Sequence, residues 1–169
     1  MEKVYHASFL SGIGTVYVAS TNRGVCKISI PAGARTEFFH WIKKRVDGAE
    51  VVESVTKNEQ IIEELRRYFE GKPVQFRSRL DPRGTDFQVA VWSELQKIPY
   101  GAVITYKELA RRVGTPAGFQ AVGRANATNP LPIVIPCHRV LGSNHDLVGY
   151  GAGIKTKEYL LQLEGSLMI

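Results

Sequence analysis

The sequence predicts an α/β (α+β) protein in two parts. A small N-terminal three-stranded antiparallel sheet with helices is followed by a mostly helical C-terminal domain containing a helix-turn-helix. Three observations predict it. Residues 4–30 are β-rich runs separated by turn tetrapeptides. Residues 35–70 switch to apolar residues at helical spacing. From Thr85 onward, capping residues recur before apolar stripes, and a glycine-containing turn separates two short helices. The expected boundaries are 1–80 for the N-terminal α/β domain, 81–84 (Asp81-Pro82-Arg83-Gly84) for a linker and 85–169 for the C-terminal domain.

Size and composition limit the function classes. With 169 residues, 44% of them hydrophobic and 22% charged, the chain can bury a core without staples and is not disordered. A net charge of +6 favours a polyanionic partner. The two cysteines, Cys26 and Cys137, have neither zinc nor disulfide-scaffold spacing. The N-terminus lacks a signal-peptide apolar core, and no stretch approaches the roughly 18 apolar residues of a membrane helix. A soluble cytoplasmic protein with reduced thiols is expected.

In the first part, Val4–Leu10, Thr15–Ser20 and Gly24–Ile30 form the expected meander, joined by Ser11-Gly12-Ile13-Gly14 and Thr21-Asn22-Arg23-Gly24. Cys26, inside the third strand, is a core thiol. Phe38, Phe39, Ile42 and Val46 mark one helix. Val51–Val55 suits a further short strand. Ile61, Ile62, Leu65, Tyr68 and Phe69 mark a second helix, with Gly71 and Pro73 as its stop. Val74–Leu80 suits an extended segment. Nothing here carries catalytic chemistry: no paired carboxylates, no phosphate loop and no ligand cluster.

In the second part, Thr85 or Asp86 caps a helix bearing Phe87, Val91, Leu95 and Ile98. Thr105 caps the next, with Glu108 three residues on as a capping box. That helix carries Tyr106, Leu109, Ala110 and Val113, and Gly114-Thr115-Pro116 turns the chain. The following helix, from about Ala117 to Ala127, is built largely of Ala, Gly and Val, so its backbone can approach a partner closely. Phe119 and Val122 are expected to face the core, with Gln120 and Arg124 pointing outward. Between Gly101 and Val140 five basic residues, Lys107, Arg111, Arg112, Arg124 and Arg139, meet one acid, Glu108. A basic helix-turn-helix suits DNA. A helical hairpin with scattered surface charge is the alternative. The last helix runs from about Lys155 to Glu164, with Tyr159, Leu160 and Leu163 on its buried face.

The stretch with most chemical content is Asn129-Pro130-Leu131-Pro132-Ile133-Val134-Ile135-Pro136-Cys137-His138-Arg139-Val140. An extended apolar run is expected to end at Pro136, which has a fixed φ and no N–H and so places Cys137 rigidly. The next two side chains are an imidazole and a guanidinium, groups able to relay a thiol proton or favour a thiolate. The residues alone leave two readings open: an activated nucleophile, or a packed thiol beside a His-Arg pair. The glycines of Gly149-Tyr150-Gly151-Ala152-Gly153 permit close backbone approach to a flat ligand. This loop lacks the strand-to-helix setting of a dinucleotide site.

Pro136-Cys137-His138-Arg139-Val140 resembles the active-site motif of the O6-alkylguanine-DNA alkyltransferases, the methylated-DNA–protein-cysteine methyltransferase family. The resemblance spans roughly Thr85 to Gly165. It includes Asn129-Pro130, the helix-turn-helix, Gly149-Tyr150-Gly151 and Lys157-Glu158-Tyr159-Leu160-Leu161 followed by Glu164. It implies a ribonuclease-H-like N-terminal domain and a C-terminal domain that flips a damaged guanine out of DNA. Alkyl transfer to Cys137 is then irreversible, one event per molecule, with O4-alkylthymine a poorer substrate.

By that resemblance, His138 relays the Cys137 proton through water and Glu164 orients His138. Asn129 braces the turn, and Arg139, with Pro136, has a structural role. Tyr106 contacts the base and helps extrude it. Tyr150 and Gly151 wall the pocket, Lys157 helps close it, and the carbonyls of Cys137 and Val140 read the guanine amino group. Thr105, Gln120, Ala121 and Arg124 are DNA-contacting positions. No metal or cofactor is implied, and the N-terminal part offers only Cys26 with His6 and His40 for zinc, so none is expected. The implied partner is double-stranded DNA containing O6-alkylguanine, with no protein partner and no membrane, acted on by a monomer.

One position departs from the family. Aligned on Ala121-Val122-Gly123, the arginine that fills the gap left by the extruded base is here Gln120. Weaker base extrusion or lesion search is expected, with the chemistry intact. Two other classes stay open on the sequence. One is a non-catalytic lesion-binding protein of the alkyltransferase-like kind, which would lack the nucleophile. The other is a helix-turn-helix transcription regulator.

Overall fold

The computed structural model describes residues 1–31, 34–147, 150 and 152–166. The chain divides into two compact units, Met1–Arg83 and Gly84–Ile169. Among the described residues no helix is long and apolar enough to cross a membrane.

The first unit holds a sheet of β1 (Lys3–Ser11), β2 (Gly14–Thr21), β3 (Gly24–Ser29) and β4 (Glu50–Glu53), in the order β3-β2-β1-β4. The first three strands are the antiparallel meander. The fourth, from the run at 51–55, adds in parallel to β1, pairing Val4 with Val51. Helix α1 (Ala34–Arg45) covers one face, where Val4, Ala19, Cys26, Phe38, Ile42 and Val46 form one apolar cluster. Cys26 is a free thiol in that cluster, and burial pushes it up to about 12. Helix α2 (Glu59–Phe69) follows a single 3-10 turn.

The segment at 74–80 is not a strand. It makes one parallel bridge, Leu80 to Val25, and is held by side chains instead. The buried Glu64 carboxylate accepts from the Arg77 and Ser78 amides and the Ser78 hydroxyl. Gly24 has φ +145°, and a Cβ there would lie 2.5 Å from the Arg79 carbonyl oxygen, so only glycine lets this segment dock. Within the 81–84 stretch, Asp81 accepts from Thr21 and Arg83, tying both residues to the first unit.

The second unit is helical: α3 (Asp86–Leu95), α4 (Tyr106–Arg112), α5 (Phe119–Ala127) and α6 (Ile154–Leu163). Thr85 caps α3 with a complete capping box to Gln88. Phe87, at the start of that helix, is 37% exposed while Val91, Leu95 and Ile98 are buried. The Trp92 indole donates to the Ala125 carbonyl at 2.8 Å and pins α3 to α5. Thr105 caps α4 by accepting from the Glu108 amide at 3.1 Å, but the box is only half made. The Glu108 carboxylate turns instead to Arg111 and Arg112, a charge-assisted alternative the amide at Thr105 cannot match. Gly114, at φ +79°, makes the turn toward α5. A two-residue parallel pair, β5 (Ile104–Thr105) with β6 (Val140–Leu141), brings the start of α4 beside the end of the proline-rich stretch.

Two further expectations fail in this unit. Phe119 does not face the core: it is 53% exposed, while Val122 is fully buried. The run at 129–136 is not extended but a buried tight turn, with Pro132 bridged to Ile135 and Ile133 at φ +75°. The Asn129 side chain, bonded to the Leu131 amide and the Ile135 carbonyl, folds it back.

Candidate active site

The turn that presents the thiol is built from its own residues. Asn129 spans it, accepting from the Leu131 amide at 2.9 Å and donating to the Ile135 carbonyl at 2.7 Å. Positive φ at the β-branched Ile133 costs on the order of 1–3 kcal/mol, held in place by these bonds and by Ile133's burial. Pro136, at φ −80° and ψ 66°, centres an inverse γ-turn in which the Cys137 amide donates to the same Ile135 carbonyl at 2.8 Å. Its ring supplies the required φ without cost. Cys137, His138 and Arg139 then form one 3-10 turn, all buried.

Behind the thiol sits one carboxylate with several partners. Glu164, immediately after α6, accepts His138 Nε2 at 2.6 Å, Arg139 Nε at 2.8 Å and Arg139 Nη2 at 3.1 Å, with the Gly101 amide at 3.4 Å. Burial alone would raise its pKa. The hydrogen bonds from His138 and Arg139 outweigh that and hold it at about 2. A carboxylate so strongly ionised only accepts, so Nε2 of His138 carries the hydrogen and Nδ1 is the lone-pair nitrogen of the neutral ring. Burial pushes His138 below its ordinary range, with Glu164 opposing. Arg139 also donates to the Ile98 carbonyl at 2.6 Å. It thereby joins the end of the α3 segment to α6.

Burial likewise pushes the Cys137 thiol up, against hydrogen bonds from Asn129 and Tyr150 and the positive charge of Lys157. The resting group is therefore a neutral thiol surrounded by groups that favour its anion. Lys157, on α6, is fully buried. Burial lowers it to about 8. Its ammonium donates to the Val140 carbonyl at 2.6 Å and lies 5.8 Å from the centre of the Tyr106 ring. Tyr106, first residue of α4, has its phenol raised by burial.

Asn126, on α5 and 3% exposed, was not singled out in the sequence. Its amide nitrogen reaches both the Tyr106 hydroxyl and the Cys137 carbonyl at 3.3 Å. Because Asn126 donates to the phenol oxygen, the phenol's own hydrogen is directed elsewhere. The signal that could have found it is position: Asn126 lies four residues after Val122, on the buried side of α5, where Val122 and Ala125 are its buried apolar neighbours. The Cys137 carbonyl accepts from Asn126 and the Val140 carbonyl from Lys157.

The structure thus gathers Tyr106, Asn129, Cys137, His138, Arg139, Val140, Tyr150, Lys157 and Glu164 around one buried turn. Gly149 and Gly151 lie outside the described residues. Gln120 and Arg124 stand exposed on α5 with Ala121 half-buried beside them, and Thr105 serves as the α4 cap. Among the described residues no group of three or more metal-ligating side chains is present.

Two family models match. The one described as "6-O-methylguanine DNA methyltransferase, ribonuclease-like domain" covers residues 4–82, and the "DNA binding domain" of the same name covers 86–166. A methylated-DNA–protein-cysteine methyltransferase of Methanosarcina acetivorans is 41% identical over 167 residues, spanning 96% of this chain and 99% of the relative. The inducible methylated-DNA–protein-cysteine methyltransferase of Bacillus subtilis is 40% identical over 148 residues, 88% of this chain and 83% of the relative. The crystal structure of Mycobacterium tuberculosis OGT in complex with DNA superposes with TM-score 0.82 at 34% identity, covering 96% of this chain and 93% of that one. The O6-methylguanine-DNA methyltransferase of Pyrococcus kodakaraensis gives 0.70 at 27% identity, covering 96% and 99%.

Proposed function

The chain belongs to the 6-O-methylguanine DNA methyltransferase family, and from that premise we propose how its residues carry out direct-reversal repair of alkylated DNA. It is a methylated-DNA–protein-cysteine methyltransferase. The observation that carries the assignment of roles is the buried Cys137 turn backed by the His138–Glu164–Arg139 chain of hydrogen bonds.

The target atom lies inside a duplex, so the nucleotide must first be flipped into the pocket, at a cost of about a few kcal/mol. There the Cys137 sulfur attacks the alkyl carbon of O6-alkylguanine. The S–C bond forms as the O6–C bond breaks, and the electron pair leaves with guanine. The thiol proton passes through water to Nδ1 of His138. The Glu164 carboxylate, fixed by Arg139, balances the imidazolium charge. The departing guanine anion is stabilised by the Tyr106 hydroxyl, whose hydrogen Asn126 directs away from itself, and the proton is finally returned to the base. Atoms and charge balance without a cofactor.

The Cys137 and Val140 carbonyl oxygens, which are hydrogen-bond acceptors, suit the guanine amino group. Asn129 shapes the turn and hydrogen-bonds the thiol. Tyr150 lines the pocket and Lys157 closes it. Thr105, Gln120, Ala121 and Arg124 face DNA. The C-terminal domain, 85–169, carries the chemistry. A thioether is not easily reversed, so each chain reacts once, acting as a soluble cytoplasmic monomer. O4-alkylthymine is a slower substrate.

The test is to mix the chain with duplex DNA bearing O6-[methyl-³H]methylguanine and follow the label. One methyl per chain on intact protein, abolished in Cys137→Ala, is expected. Binding without transfer, or release of label from the protein with repeated turnover, would overturn the proposal.

A further inference from the structure

Helix α5 turns a specific face outward. Phe119, Gln120, Arg124 and Ala127 are exposed and Gly123 is half-exposed, while Val122, Ala125 and Asn126 are buried. At roughly 100° per residue, Phe119, Gly123, Ala127, Gln120 and Arg124 fall on one arc. That arc combines an aromatic ring, an amide and a guanidinium with two positions of almost no side-chain bulk. A Cβ on Gly123 would meet nothing within 4 Å. Such a surface lets a helix sit close in a groove while one large side chain projects from its first turn.

A single exposed phenylalanine is unremarkable by itself. Its position relative to the thiol is what gives it meaning. Asn126 holds the Cys137 carbonyl at 3.3 Å. Phe119 lies seven residues earlier, nearly two full helical turns, so it sits on almost the same side of α5, about 10 Å along the axis. The exposed ring therefore projects from the first turn of the same helix whose last turn touches the Cys137 turn, about 10 Å along its axis. The neighbouring position, Gln120, lacks the long cationic side chain that could alone fill the gap an extruded nucleotide leaves.

We propose that Phe119 is the wedge. It enters the duplex at the step vacated by the extruded nucleotide and stacks there, with the Gln120 amide hydrogen-bonding the unpaired partner base. Apolar side chains entering from the minor groove unstack base steps in this way. An aromatic face stacks on any base, so the wedge is indifferent to the flanking sequence. Arg124, one turn on, is left to neutralise phosphate. This rests on the alkyl-transfer reading above.

The experiment compares transfer rates of the wild-type chain, Phe119→Ala and Phe119→Leu on O6-methylguanine in a duplex and in the same single strand, which needs no gap filled. Loss of one stacking contact predicts about tenfold or more slower transfer on the duplex for Phe119→Ala, with single-strand rates within about twofold of wild type. Phe119→Leu should fall between. Because Phe119 is on the surface, folding is not at risk, and circular dichroism checks it. Equal duplex rates for wild type and Phe119→Ala, or equal losses on both substrates, would overturn the wedge while leaving the repair reaction standing. A wild-type chain that transfers from neither substrate overturns the alkyl-transfer reading and the wedge with it.

Discussion

Arg139 grips Glu164 with two guanidinium nitrogens, Nε to Oε1 at 2.8 Å and Nη2 to Oε2 at 3.1 Å, while the same Oε2 receives His138 at 2.6 Å. The residue two positions after the thiol and the residue ending the last helix are thus one unit, and the histidine between them is oriented by both. Breaking one partner of such a buried pair leaves an uncompensated charge.

Arg139→Leu is therefore expected to lose about 3–5 kcal/mol of stability in urea unfolding, far more than Arg111→Leu, whose pair with Glu108 lies in solvent. Glu164→Gln keeps the shape and should fold. Its transfer rate on duplex O6-methylguanine should drop on the order of tenfold to a hundredfold, because the imidazolium loses its counter-charge. An unchanged rate would remove Glu164 from the proton relay.

Acid should expose the same carboxylate. Its pKa is about 2 in the folded chain against an ordinary 4.5, so the unfolded chain binds the proton more readily. The stabilisation is complete above about pH 4.5 and is lost as pH falls toward 2, a difference on the order of 3 kcal/mol. Unfolding midpoints in urea across this window should fall in the wild type and fall less in Glu164→Gln.

The thiol should be slow without DNA. Burial raises Cys137 above the ordinary 9.0, so iodoacetamide at pH 7 is expected to alkylate it more slowly than free cysteine, with the rate climbing as pH rises. Cys26, at about 12, should be slower still. Peptide mapping of the labelled chain distinguishes the two sites. Rapid labelling of Cys137 at neutral pH would mean that the anion is already formed before substrate arrives.

Asn126 and Tyr106 should act as one. Asn126→Ala and Tyr106→Phe are each expected to slow duplex transfer, and the double variant should be little worse than the slower single. Rates that multiply would show independent roles and remove the orienting bond from the mechanism.

Local chemistry made much of this legible in advance. Thr85 and Thr105 precede apolar stripes and do cap their helices. Strand alternation and turn residues placed the meander to within a residue or two. The partial failures share a cause. Glu108 had a second pair of partners that its spacing to Thr105 concealed. Phe119 has helical spacing to Val122, but periodicity identifies an apolar face and cannot say whether protein or another molecule covers it. At residues 129–136 composition suggested an extended run, and a side chain bridging six positions folded it into a turn.

By itself, then, the sequence determined the chemical inventory: a cysteine placed by proline, a histidine and arginine beside it, helix starts, a basic helical hairpin and the family these residues mark. Such features are set by bonds between near neighbours. Only the tertiary structure decided that Glu164 meets His138 and Arg139 from 26 and 25 positions away, that Lys157 is buried against the Val140 carbonyl, that Asn126 joins Tyr106 to the Cys137 turn, and that Phe119 faces outward. Those outcomes depend on how α5 packs on α3 and α4 and how α6 packs on the Cys137 turn, and packing is settled by shape and burial across the whole unit.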